Sequence, residues 1–214
     1  MCERAFFDPK AKQAATEAIK AIEAQTSAEV VVTLRHTSGS YRHADYLFGF
    51  LLSMATLLAM LFVDHEFKLI AFPIDVAAAF VFGAAICAYT PFLRRALTSK
   101  KLRASNVHNA ARAAFVDHGV ARCSGRWGVL VFVAMFERRV EVVSDIAIDP
   151  EKLGAPWKDA IEKMQSAIEA GPDLERFLVA FRGLGPVLSA AFPHRDYDVN
   201  GLPDEIDTDA PAEA

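Results

Sequence analysis

Two long apolar segments constrain what this chain can fold into more than any other feature. Tyr46 to Val63 is a run of 18 residues without a charge, and Leu69 to Leu93 contains one charged residue, Asp75. As a helix, the first run is roughly 27 Å long, which is close to the thickness of a bilayer's hydrocarbon core. The four polar residues Asp64, His65, Glu66 and Lys68 separate the two runs. The pattern predicts a transmembrane helical hairpin over residues 46–93, and the alternative is a buried helical hairpin in a soluble core.

The charges that flank the hairpin predict its orientation. Five basic residues follow the second run closely, and no acidic residue occurs before Asp117: Arg94, Arg95, Lys100, Lys101 and Arg103. Because loops rich in Lys and Arg stay in the cytoplasm, both termini are expected there. Beside a membrane such a cluster contacts anionic lipid, and the net charge of −4 gives no general signal for nucleic acid. The expected partners are the lipid bilayer and an unknown protein, with no nucleic acid.

The segments on either side of the hairpin have the periodicity of an α/β domain. A helix (11–25) and a strand (29–36) are predicted before the hairpin. A helix (98–120), two strands (128–135 and 139–144) and two helices (157–169 and 173–188) are predicted after it. The expected domains are therefore residues 1–45 and 94–192 of one split α/β domain, the hairpin 46–93, and an acidic tail 193–214. The three strands can bury a common face only if both halves come together.

Two stretches resemble the TPM domain family, in its bacterial membrane-anchored branch with a hydrophobic insertion. They are AIEAQTSAEVVV (residues 21–32) and AAFVDHGVARCSGRWGVLVFVAMFERRVEVVSD (residues 113–145). The resemblance implies a small three-layer α/β sandwich, here interrupted by the transmembrane hairpin, in the bacterial inner membrane. It also implies that the chain is an accessory or assembly factor for a membrane complex. Some members bind calcium and one is linked to phosphatase activity, so the alternative function is a metal-dependent hydrolase.

The acidic tail contains a candidate calcium loop. Calcium prefers several hard oxygen ligands on a loop that turns at a glycine, and Gly201 is placed for that turn. The candidate ligands have EF-hand-like spacing: Asp196, Asp198, Asn200, Asp204 and Asp207. The alternative is a disordered acidic extension, because residues 196–214 carry seven acidic residues and no basic ones. Calcium is thus the one candidate metal, and no organic cofactor is predicted.

A polar groove at the strand ends is the second candidate site. Its residues flank the predicted strands: Glu23, Glu29, Arg126, Asp145 and Asp149. Strand ends in α/β domains often bind ligands, whereas the alternative is a set of ion pairs and solvated turns. Cys123 lies beside Arg122 and Arg126, but Val129 stands where a Cys-x5-Arg phosphatase motif needs arginine. No residue is assigned a catalytic role.

Overall fold

The computed structural model describes residues 5–63, 68–123, 125–194 and 206–209. The chain forms two compact units. One combines Met1–Ser38 with Ala104–Ala214, and the other is Gly39–Arg103. The elements in chain order are α1 (Pro9–Glu23), β1 (Glu29–Arg35), α2 (Arg42–Phe62), α3 (Ala71–Tyr89), α4 (Pro91–Leu97), α5 (Lys100–Asp117), a 3₁₀ turn (Val120–Arg122), β2 (Gly128–Ala134), β3 (Arg139–Ser144), α6 (Pro150–Glu169), α7 (Leu174–Arg182), α8 (Leu184–Ala191) and β4 (Asp207–Thr208).

The first unit is built on a four-stranded sheet in the order β3-β2-β1-β4. β1 pairs in parallel with β2, from Glu29 opposite Gly128 to Arg35 opposite Ala134, and β2 pairs antiparallel with β3. All three predicted strands are present, and β1 reaches the sheet from the far side of the hairpin in sequence. A fourth strand, β4, pairs in parallel with β1 through two residues. It lies in the acidic tail, where neither a calcium loop nor a disordered extension predicted a strand.

Helices cover both faces of this sheet. Val30, Val32 and Leu34 of β1 pack with α1, α6, α7 and α8, whereas Val31 packs with α5. Every residue of β2 is buried, as expected for a strand that has helices on both sides. The mixed α/β fold with an inserted apolar hairpin that the sequence predicted is therefore confirmed.

Capping residues and glycines determine where the first and the C-terminal helices begin, bend or end. Asp8 caps α1 by accepting a hydrogen bond from the Lys10 N–H at 2.9 Å, with Pro9 in the first turn. The predicted helix 157–169 begins earlier, at Pro150, and bends at Gly154, where φ is +66°. The predicted helix 173–188 is divided at Gly183 into α7 and α8.

The second unit consists of α2, α3 and the short helix α4. Within the described residues, α2 and α3 are long and apolar enough to cross a membrane. Only 22% of the most apolar window of α2 and 11% of that of α3 is buried, so the alternative of a buried core hairpin does not describe them. The second predicted run divides at Pro91, which begins α4.

Small residues bring α2 and α3 together. A Cβ added at Gly83 would lie 2.9 Å from Gly49 Cα, and one added at Gly49 would lie 2.7 Å from the Phe80 carbonyl oxygen. Backbones that approach this closely are typical of helix pairs in membranes. Asp45, buried in the first turn of α2, accepts two hydrogen bonds from Arg94 of α4, at 2.8 and 2.6 Å. This bidentate ion pair ties the start of α2 to α4.

Candidate functional site

Part of the predicted polar groove does assemble, at the amino ends of the parallel strands β1 and β2. Glu29 begins β1, and its Oε2 accepts a hydrogen bond from the Cys123 thiol at 3.3 Å. Asp145, directly after β3, is 3% exposed, and Arg126 Nε lies 3.0 Å from its Oδ2 without the alignment of a hydrogen bond. The Asp145 N–H donates to the Gly128 carbonyl, which fixes it to β2. Three of the five predicted residues, with Cys123, are thus neighbours.

The chemistry of this cluster is that of a closed structural network. Burial, followed by the hydrogen bond to Glu29 and the negative charge of Glu29, raises the pKa of the Cys123 thiol from 9.0 to about 12. The thiolate is the nucleophilic form of cysteine, so Cys123 is a poor nucleophile at neutral pH. Asp145 Oδ1 already accepts a hydrogen bond from the Ile146 N–H at 2.7 Å.

The other two residues of the predicted groove have separate roles. Glu23 Oε1 accepts a hydrogen bond from the Val30 N–H at 3.1 Å. This N–H lies on the edge of β1 away from β2, so Glu23 satisfies a backbone donor that would otherwise invite another strand. Asp149 caps α6 by accepting a hydrogen bond from the Glu151 N–H at 3.0 Å. Glu23 therefore satisfies a backbone donor at the edge of β1, and Asp149 satisfies one in the first turn of α6.

The opposite end of the sheet contains a cavity. At the carboxyl ends of β1 and β2, an open pocket of about 270 Å³ lies between the sheet and α5. Ligands of α/β folds usually bind at this end of parallel strands. Polar side chains from β1, the segment after it and the end of α5 face the cavity over an apolar floor: Arg35, Thr37, Ser38, Asp117 and His118.

Arg35 and His118 converge on one carboxylate in this region. Arg35 donates a short hydrogen bond to Asp207 Oδ2, and His118 Nε2 lies 3.1 Å from the same oxygen. The Arg35 and His118 side chains are about three-quarters buried, with exposed fractions of 27% and 21%. Partial burial strengthens such charge pairs relative to pairs on an open surface. Asp207 reaches them because β4 pairs with the last residues of β1.

The segment after β1 is held by a buried glutamate. Glu137, in the turn between β2 and β3, accepts a hydrogen bond from the Ser38 N–H at 2.8 Å and one from the Thr37 hydroxyl at 3.3 Å. The buried Ser38 Oγ has no hydrogen-bond partner among the residues that the structure describes. Glu137 thus fixes the chain at residues 37–38, beside this pocket.

Sequence reasoning missed this cavity. None of Arg35, Ser38 and His118 is among the site residues that the sequence predicts. The available signal was the order of the elements, because residues that directly follow a strand paired in parallel collect at its carboxyl end. What the sequence did not show is β4, which brings Asp207 to Arg35.

A larger hollow of about 700 Å³ lies between α6 and α7. Its walls are mostly apolar, and its rim carries charges of both signs from Asp159, Lys163, Glu175 and Arg176. These charges balance, so the rim selects neither an anion nor a cation. The smaller cavity at the strand ends has the more defined chemistry.

The structure describes little of the candidate calcium loop. Asp196, Asp198, Asn200 and Asp204 lie outside the described residues. Asp207 is described, and its carboxylate contacts Arg35 and His118. Within the described residues, no group of three or more His, Cys, Asp or Glu side chains is arranged to hold a metal ion. Calcium binding by the tail remains a prediction.

Comparison with known proteins supports the fold of the chain but does not show its family. No family model and no curated protein matches the chain. Among solved structures, the chain is similar to the NMR structure of the BA42 protein from the psychrophilic bacterium Bizionia argentinensis. The two share 15% sequence identity with a TM-score of 0.55, and the match covers 94% of each chain. At this identity the likeness supports the α/β fold and says nothing of activity.

Proposed function

We propose that this protein is a membrane-anchored, TPM-like module that serves as an accessory or assembly factor for a membrane complex. The observation that carries the proposal is the outer surface of the hairpin. Large apolar side chains project from α2 and α3 without cover, including Phe62 (83% exposed), Phe82 (68%) and Val81 (64%). An exposed apolar surface of this extent is stable only in lipid or against another protein.

The proposed location is the bacterial inner membrane, with two spans and both termini in the cytoplasm. The support is the distribution of charge. Arg94 and Arg95 lie in α4 directly after the second span, and Lys100, Lys101 and Arg103 begin α5. Positive residues at this position are retained on the cytoplasmic side during insertion.

The TPM relationship is part of the proposal. The two resembling stretches, residues 21–32 and 113–145, correspond to the end of α1 with β1, and to the end of α5 with β2 and β3. Those elements form the three adjacent strands of the sheet and the chain segments that enter them. A family resemblance that falls on contiguous strands supports a shared fold better than one scattered over loops. In that family, accessory roles in membrane complexes are the precedent for this function.

The test is purification of the tagged full chain from membranes in a mild detergent, followed by identification of co-purifying proteins. The expected result is that a partner membrane protein co-purifies with the chain reproducibly and in near-stoichiometric amount.

The orientation is tested separately with a reporter fused after Ala214 or inserted at residue 66. The two positions should report opposite sides of the membrane.

The competing hydrolase function is tested on the same purified protein. Hydrolysis of a generic phosphate ester is measured with and without divalent metal, and then with Asp145→Asn and Asp149→Asn. Metal-dependent turnover that both substitutions abolish, without any co-purifying protein, would replace the accessory function with the hydrolase. Absence of turnover together with a stable partner would support the proposal.

A further inference from the structure

The pocket at the carboxyl ends of β1 and β2 is bordered by two side chains, Arg35 and His118, that also contact a carboxylate from the acidic tail. The Arg35 guanidinium and the His118 imidazole are brought together from the end of β1 and the residue after α5. Both approach a single oxygen of Asp207, which comes from a segment about 90 residues further along the chain than His118. Arg35 donates a hydrogen bond to this oxygen, and His118 Nε2 lies 3.1 Å from it without the alignment of a hydrogen bond, so two nitrogen-bearing side chains face one carboxylate.

The segment that carries Asp207 joins the sheet through a very short strand. β4 contributes two residues to the sheet, Asp207 opposite Thr33 and Thr208 opposite Leu34. Beyond them, Asp209 accepts hydrogen bonds from the His36 N–H through both carboxylate oxygens, at 3.1 and 3.0 Å. A strand this short gains little from pairing, so an external carboxylate can compete with Asp207 for Arg35.

The lining of the cavity indicates which anion it accepts. The Asp117 carboxylate borders the same space, and it would repel a dianion such as a phosphate monoester more strongly than a monoanion. A carboxylate is also the group that Arg35 binds in the structure and beside which His118 lies.

We propose that this cavity binds a carboxylate group of an external ligand through Arg35 and His118, and that Asp207 is an internal competitor occupying the site when the ligand is absent. The carboxylate belongs either to a small organic acid or to the acidic side chain of a peptide. A volume of about 270 Å³ admits a small acid or one side chain, and excludes a large cofactor.

The test uses the full chain in a mild detergent and follows amide chemical shifts during titration with sodium propionate at constant ionic strength. A second titration uses a short blocked peptide with one Asp. The variants are Asp207→Asn and Asp209→Asn. Both remove one negative charge from the same four-residue segment, but only Asp207 contacts Arg35. Because the apparent affinity is multiplied by the fraction of time that the site is free of its internal competitor, Asp207→Asn should tighten binding about tenfold, the value for a site that is occupied roughly nine-tenths of the time. Asp209→Asn leaves the contact with Arg35 in place and should tighten binding much less.

Arg35→Gln, added to Asp207→Asn, should abolish the shifts. Shifts with propionate identify a small acid as the ligand source, and shifts with the peptide alone identify an acidic side chain. If neither probe shifts the resonances of residues 35–38 and 117–118, or if the two Asn variants respond alike, the proposal is wrong. If Asp207→Asn alters the fold by circular dichroism, the native chain and its Arg35→Gln variant are compared at high propionate, where Arg35→Gln must remove the shifts.

Discussion

The α/β unit and the hairpin unit are both rich in apolar residues, but they use them in opposite ways. In the α/β unit the large side chains, such as Phe132 and Phe181, are buried, and the sheet lies between helices. In the hairpin unit the contact between helices is made by Gly49 and Gly83, while large side chains such as Phe82 face outward. The first arrangement removes apolar groups from water, and the second has the close backbone packing that is typical of helix pairs in lipid.

The largest expected effect is that the α/β unit cannot fold without β1, whereas the hairpin unit can still form. Deleting residues 1–38 removes β1, which lies between β2 and β4 in the sheet. The α/β unit should then lose cooperative unfolding entirely, because β2 loses its parallel neighbour and one apolar face loses α1. Circular dichroism should retain the helix signal of the hairpin, while amide dispersion of the α/β unit collapses. A well-dispersed spectrum from the deleted chain would refute the dependence on both halves.

The next effect compares one phenylalanine from each unit. Phe181→Ala removes a fully buried ring from the α/β core and should lower its free energy of unfolding by about 3–5 kcal/mol. Phe82→Ala removes an exposed ring from α3 and should leave that value within about 0.5 kcal/mol. Urea unfolding in detergent, followed by tryptophan fluorescence, is suited to this test because Trp127 and Trp157 both belong to the α/β unit. Equal losses for the two variants would contradict the difference between the units.

A smaller effect is expected at the contact between the hairpin helices. Gly83→Leu places side-chain atoms where Gly49 Cα is 2.9 Å from the new Cβ, and such overpacking costs about 1–3 kcal/mol. Val81→Leu, two residues earlier on the exposed side of α3, is the matched control. The helix signal at 222 nm should melt at a lower temperature in detergent for Gly83→Leu alone. Identical melting curves would show that the glycine contact does not hold the hairpin.

The smallest effect on stability concerns Cys123 in the closed cluster of the α/β unit. With its pKa raised to about 12, the thiol should be alkylated about a thousandfold more slowly at pH 8 than a free cysteine. Glu29→Gln removes a negative charge that favours the protonated thiol, so alkylation of Cys123 should accelerate; peptide mass mapping measures both rates. The raised pKa also makes the free energy of unfolding depend on pH. The folded state binds the Cys123 proton more tightly than the unfolded state, so the stabilisation from the protonated thiol is fully present below pH 9 and is lost as pH rises toward about 12. Rapid alkylation of the native chain would contradict the cluster geometry.

Periodicity in the sequence was sufficient for most of the fold and for little of the site. β1, β2 and β3 were predicted because runs such as Val129–Val133 have one interpretation once the hairpin is set aside. β4 was missed because two residues in an acidic segment carry no periodic signal, and their strand geometry comes from the edge of β1. Glu29, Arg126 and Asp145 were expected together because they flank strand ends, whereas the contact between His118 and Asp207 depends on that unpredicted strand.

The central claim, that the hairpin holds the protein in a membrane, is tested most directly by alkaline carbonate extraction of membranes from cells that express the full chain. The account predicts that the protein stays in the membrane pellet, because the exposed faces of α2 and α3 are covered by lipid. A chain in which residues 39–103 are replaced by a flexible Gly/Ser linker should be released into the supernatant with the α/β unit folded. Recovery of the full chain in the supernatant would contradict the account.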